Sequence, residues 1–191
     1  RDVFVRAAGP PVCHPLAVTM GNPCPRRRCH LCRLYPMIFV TTGTQLPFPR
    51  MIDTVAGIAS ELDEEIIAQV GPDTSARDFE THGTLAPAQF TDFFSRARVV
   101  VAHAGVGSIL SAKRFGKPVI LVPRRHDMGE HRNDHQMATA AEVEGRTGVY
   151  VAWDEPQLRE FLSRSDLVAP NDTPGARASD LIAYLKGAID A

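Results

Sequence analysis

Val99-Val100-Val101-Ala102-His103-Ala104-Gly105-Val106-Gly107-Ser108 is the stretch that decides how this chain folds. Three consecutive valines between Arg98 and Ala102 read as a short buried strand. Two glycines then free the backbone for a tight turn. A helix is expected from Gly107 to Phe115, closed by Gly116. A strand that passes through a glycine turn into a helix is the building unit of an α/β domain.

The same unit recurs on both sides. Met37 to Thr42 is an apolar, β-branched run, followed by Gly43-Thr44-Gln45. Phe48 to Leu62 places Ile52, Val55, Ile58, Ala59 and Leu62 at helical spacing. Glu65 to Val70 reads as a strand and Phe79 to Leu85 as a weaker one. A helix follows from Pro87, a residue tolerated in a first turn. Downstream, Pro118 to Val122 and Gly148 to Ala152 read as strands. His131 to Glu144, Pro156 to Leu162 and Asp180 to Ala188 read as helices, and residues 164 to 178 as a surface loop. Strands alternating with helices predict a parallel sheet covered on both faces. Right-handed crossovers make it Rossmann-like, so ligands are expected beyond the carboxyl ends of the strands.

Residues 1 to 36 differ from this pattern. They are rich in proline, lack apolar periodicity and hold one acid, Asp2. The segment reads as a disordered or spurious extension, with the domain proper over residues 37–191. Two alternatives stand beside that reading. A transit peptide fits the arginines, although the prolines spoil an amphipathic helix. A zinc site would use Cys29-His30-Leu31-Cys32 with Cys24, Cys13 and His14, but only one clean CxxC pair is present. All four cysteines lie in this segment, so they cannot staple the body, which reads as a cytosolic fold relying on its core.

Composition narrows the function classes. The 191 residues are 44% hydrophobic, enough for one core. With 21 basic and 22 acidic residues the net charge is −1, which gives no pull toward nucleic acid or an anionic membrane. No uninterrupted apolar run is long enough to span a bilayer.

Three loops at strand ends carry the candidate chemistry. In the first, Gly43 lets the backbone approach a ligand and Thr44 offers a hydroxyl; a purely structural turn is the competing reading. In the second, the helix after Gly105 and Gly107 offers unpaired amides and a partial positive charge to an anion such as a diphosphate. Ser108 caps that helix, binds phosphate, or does both. His103 can donate to a phosphate oxygen, which would favour its charged form. The third loop, Pro123 to Gln136, holds three histidines, three arginines and several acids and amides. That density suits a sugar and its nucleotide, with a solvated charged loop as the plain alternative. A metal site over His126, His131 and His135 is a further alternative, but His131 and His135 stand at i, i+4 without the HExxH arrangement.

VVVAHAGVGSIL, GKPVILVPR and EHRNDHQ, in this order, resemble the carboxyl-terminal domain of family 28 glycosyltransferases. The likeness runs from Met37 to about Leu162. It is strongest to small stand-alone versions, the Alg13-type and PssE-type subunits, and the EHxxDHQ form leans to the PssE type of bacterial exopolysaccharide synthesis. The resemblance implies the donor-binding lobe of a GT-B enzyme, with His103, Gly105, Gly107 and Ser108 on the donor diphosphate. Gly43 and Thr44 would face the phosphates between two lobes. Asp134 or His135 with Gln136 would bind sugar hydroxyls, with Glu130 on ribose or sugar and Arg124 as a further donor contact.

It also implies inverting transfer of a sugar from a UDP-sugar to a lipid-linked acceptor, with no essential metal or other cofactor. A second, membrane-associated chain of the Alg14 or PssD type would complete the enzyme and recruit this one to the cytoplasmic face of the membrane. The general base would lie in that partner, with Glu130 and His131 as weak candidates here. A non-catalytic nucleotide-sugar scaffold is the main rival. A UDP-sugar epimerase is another, although it too needs two lobes.

Overall fold

The computed structural model describes residues 36–170 except 74 and 76. The readings of the cysteine-bearing amino-terminal segment and of a helix over Asp180 to Ala188 lie outside the described residues. The described residues form eleven elements: β1 (Met37–Thr41), α1 (Pro49–Ala59), β2 (Glu65–Gln69), β3 (Glu80–His82), α2 (Pro87–Arg96), β4 (Val99–His103), α3 (Val106–Phe115), β5 (Val119–Val122), α4 (His135–Val143), β6 (Val149–Val151) and α5 (Glu155–Ser163).

The six strands form one sheet in the order β3-β2-β1-β4-β5-β6. Every pairing is parallel. This is the Rossmann strand order, with the chain reversing its direction of travel between β1 and β4. The helices that connect successive strands leave a crevice at that point, beyond Thr41 and His103.

Alternation within each strand builds two cores. Ile38, Val40, Ile66, Ala68, Val99, Val101, Ile120 and Val122 face α1 and α5. Phe39, Ile67, Val100, Ala102, Val119 and Leu121 face Phe94 of α2, Ala112 of α3 and Ala140 of α4. Because both faces are covered, the central strands read as continuous apolar runs. The Phe39 ring meets Phe90 edge-on at 5.5 Å and Phe94 at 5.9 Å, a geometry that adds to simple burial.

Local chemistry sets the element ends. Pro49 and Pro87 occupy first-turn positions of α1 and α2, where a missing N–H costs nothing. Gly116 ends α3 with φ 60° and ψ 43°, a left-handed cap that favours glycine. Asp154 caps α5 by accepting from Gln157 N at 2.9 Å.

The largest departure from the sequence pattern is in α4, which starts at His135 rather than His131. Residues before it bond locally instead: His131 Nδ1 contacts Asn133 Oδ1 at 3.1 Å, and His126 N donates to Asp134 Oδ1 at 3.2 Å. Such side-chain bonds compete with the helix ladder. The third strand shrinks to Glu80–His82 at the sheet edge, leaving Phe79 and Leu85 buried outside it.

Candidate functional site at the sheet's switch point

The crevice between β1 and β4 is built around one imidazole. Gly43 has φ +82°, and a Cβ there would lie 3.0 Å from His103 Cε1. A Cβ on Gly105 would collide with His103 Nε2 and lie 2.9 Å from Cδ2. The ring therefore fills a slot between two glycines from different loops. The first loop is tied down at its root, where Thr42 N donates to Gln69 O at 2.9 Å and Gly43 N to Thr41 Oγ1 at 3.2 Å. Thr41 Oγ1 in turn donates to Gln69 Oε1 at 3.1 Å. Thr44 is exposed at the mouth of the crevice.

The surroundings of His103 disfavour its charged form. Burial lowers its pKa below the ordinary 6.5, and the nearby charges of Arg124 and His131 add to this, against an opposing backbone contact from Thr41. Its Nδ1 is buried without a hydrogen bond of ordinary geometry. A bound phosphate would pull in the opposite direction, toward the charged ring.

Helix α3 starts at Val106, with Gly105 in the capping position and no side chain capping it. Of the two roles expected of Ser108, capping is corrected: Ser108 lies inside the first turn, 8% exposed, and its N–H donates to Gly105 O at 3.0 Å. The amides of Val106 and Gly107 have no acceptor among the described residues. They lie at the positive end of the helix, where an anion is favoured. A Cβ on Gly107 would meet nothing within 4 Å, so packing does not demand glycine there.

In the loop after β5, most polar side chains are already engaged, chiefly with backbone groups. Arg124 is 2% exposed. Its guanidinium donates to the carbonyls of Thr42, Leu46 and Pro47 at 3.0, 2.7 and 2.6 Å, so it does not project into the crevice. Glu130 takes a bidentate pair from Arg50, 2.6 and 2.9 Å, and accepts from Arg125 N at 2.9 Å. Burial raises the Glu130 pKa, but these bonds and the Arg50 and Arg124 charges outweigh it and leave the group below its ordinary value. A carboxylate so held is a poor general base.

Gln136 is 9% exposed and its Oε1 accepts from Arg124 N at 3.2 Å. Asp134 accepts from His126 N, while His135 is exposed and His131 half-buried. Arg50 and Phe48 were not singled out in the sequence. Arg50 reads there as an ordinary first-turn residue of a helix, and nothing local links it to a carboxylate 80 positions on.

Among the described residues, no group of three His, Cys, Asp or Glu side chains is placed to share a metal ion. No described helix is long and apolar enough to cross a membrane.

Solved structures share this fold. A glycotransferase of kitacinnamycin superposes with a TM-score of 0.54 at 23% identity, covering 76% of this chain and 41% of that one. MurG of Acinetobacter baumannii gives 0.52 at 15%, covering 73% and 45%. The solution structure of ALG13 gives 0.51 at 19%, covering 78% of this chain and 94% of that one. The chain thus spans about two fifths of the length of the kitacinnamycin enzyme and nearly all of ALG13. The model of the glycosyltransferase family 28 C-terminal domain matches residues 37–179, and with its six-stranded Rossmann-like sheet this chain belongs to that family.

Proposed function

We propose that residues 37–191 form the donor-binding lobe of an inverting glycosyltransferase that moves a hexose, such as glucuronate or N-acetylglucosamine, from a UDP-sugar to a lipid-linked acceptor in exopolysaccharide synthesis. The observation that carries this reading is the crevice at the switch point. There the His103 ring stands between Gly43 and Gly105, beside two unpaired amides at the start of α3. A leaving diphosphate develops charge as the glycosidic bond breaks, and fixed N–H donors stabilise it without a cation. Val106 N, Gly107 N and a ring N–H of His103 would supply those donors. The amide nitrogen of Gln136 and the exposed His135 would meet sugar hydroxyls.

The acceptor hydroxyl needs a base. Glu130 is committed to Arg50 and Arg125 N, and His131 is turned to Asn133. These bonds favour a base carried by a second, membrane-associated chain that also holds the acceptor and brings this one to the cytoplasmic face.

Calorimetry with UDP, followed by a transfer assay with and without the candidate partner, tests the reading. The isolated chain should bind UDP weakly and transfer little. His103→Ala with Ser108→Ala should abolish transfer by the pair. Full transfer by the isolated chain would remove the two-chain reading, and unchanged transfer by the double variant would favour a scaffold. Conversion of UDP-N-acetylglucosamine into an epimer would point to the other two-lobed chemistry.

A further inference from the structure

We infer that Arg124 is a positioning residue for the donor site: its side chain shapes the loop after Gly43 while its main chain holds Gln136, so one residue sets both halves of the site. The inference rests on the donor-site reading above.

The loop in question has little else to hold it. Thr44, Gln45, Leu46 and Pro47 are all exposed, with Leu46 at 39%. An exposed segment without buried side chains ordinarily samples many conformations. Among the described residues, the bonds that fix the carbonyls of Leu46 and Pro47 come from Arg124, at 2.7 and 2.6 Å. A third reaches Thr42 O at 3.0 Å, immediately before Gly43. A fourth, longer contact runs to Glu130 O at 3.4 Å. The guanidinium carbon sits 4.4 Å from the Phe48 ring centroid, which closes the other side.

Burying a cation is costly unless its donors are satisfied, and here several carbonyls satisfy it. Only a planar fork can serve them at once, which an ammonium on a flexible stem cannot do. On the main chain, Arg124 N donates to Gln136 Oε1 at 3.2 Å. The glycine turn and the glutamine therefore share one anchor.

Nitrogen-15 relaxation and UDP calorimetry on the wild-type chain, Arg124→Lys and Arg124→Met test this, with Arg50→Met as a control that cuts a different bridge. The wild-type amides of Gly43 to Leu46 should be as ordered as the helices, with order parameters near about 0.85. In Arg124→Lys they should fall below about 0.6 while the sheet keeps its spectrum, and UDP affinity should drop roughly tenfold, about 1.4 kcal/mol. Arg50→Met should leave the order of Gly43 to Leu46 in place.

A loop already disordered in the wild type would overturn the inference. So would a loss of affinity with loop order unchanged, which would mean direct contact with the donor, or a loss of melting temperature alone. Should the Arg124 variants fail to fold, Phe48→Leu removes the ring beneath the guanidinium and should give the same pattern more weakly; unchanged loop order there would overturn the inference. If the wild-type chain does not bind UDP, the donor reading fails, while the relaxation data still decide whether Arg124 orders the loop.

Discussion

The loop after β4 and the loop after β5 make opposite use of their polar groups. His103–Ser108 contains two polar side chains, yet it leaves the Val106 and Gly107 amides unpaired and His103 Nδ1 without a bond of ordinary geometry. Pro123–Gln136 is crowded with charged and polar side chains, but those of Arg124, Glu130, Asp134 and Gln136 bond to backbone groups or to Arg50. The difference teaches that available donors, and not the density of polar residues, mark where a ligand can be held. Satisfied polar groups in a partly buried loop give it a fixed shape; unsatisfied ones give it something to bind.

Three experiments would break or sharpen that contrast. The largest effect belongs to Gly105→Ala, whose methyl collides with the His103 ring. UDP affinity should fall by roughly a hundredfold, on the order of 2.7 kcal/mol, whereas Gly107→Ala, with open space around its Cβ, should lose less than about threefold. Equal losses in calorimetry would mean that the slot around His103 is unimportant.

Next in size is Glu130→Gln. It weakens a charge-assisted pair with Arg50 and should lower unfolding stability by about 1–2 kcal/mol, with UDP affinity nearly unchanged. Lost affinity at unchanged denaturation midpoint would move Glu130 from the scaffold to the ligand.

The smallest effect is a pH dependence. His103 takes up a proton near 6.5 when unfolded and only at lower pH when folded. The unfolded chain thus binds more protons between those two values, so stability falls as pH drops through 6.5 and is flat above it, as far as this group is concerned. His103→Asn should flatten that part of the stability curve, measured by urea unfolding between pH 5 and 8 (a range spanning about 1.5 units on either side of 6.5). An unchanged slope would show that the ring is not held neutral.

Much of the fold was legible because its signals are local. The valines of β4, the glycine turns and the left-handed Gly116 each declare themselves within a few residues. The start of α4 was not legible, because helix propensity there loses to short side-chain bonds around Asn133 and Asp134. The His103 loop could be found from its own residues, although Ser108 as a cap could not be told from Ser108 as the third residue of a helix. Arg124 reads in sequence as a cation free for a ligand. Its engagement depends on carbonyls contributed by residues 42 to 47, across the sheet's switch point, and no spacing rule reveals such a partnership.

The slot around His103 has a consequence for how this sequence can change over time. Gly43 and Gly105 are constrained by the same ring, although they lie in separate loops. A larger residue at Gly105 is harmful chiefly while the imidazole is there, so its cost should shrink sharply once position 103 is small. At Gly43 the left-handed φ imposes a second restriction that survives such a change. The order in which substitutions arise therefore matters: with His103 in place, any side chain at Gly105 requires the ring to move first.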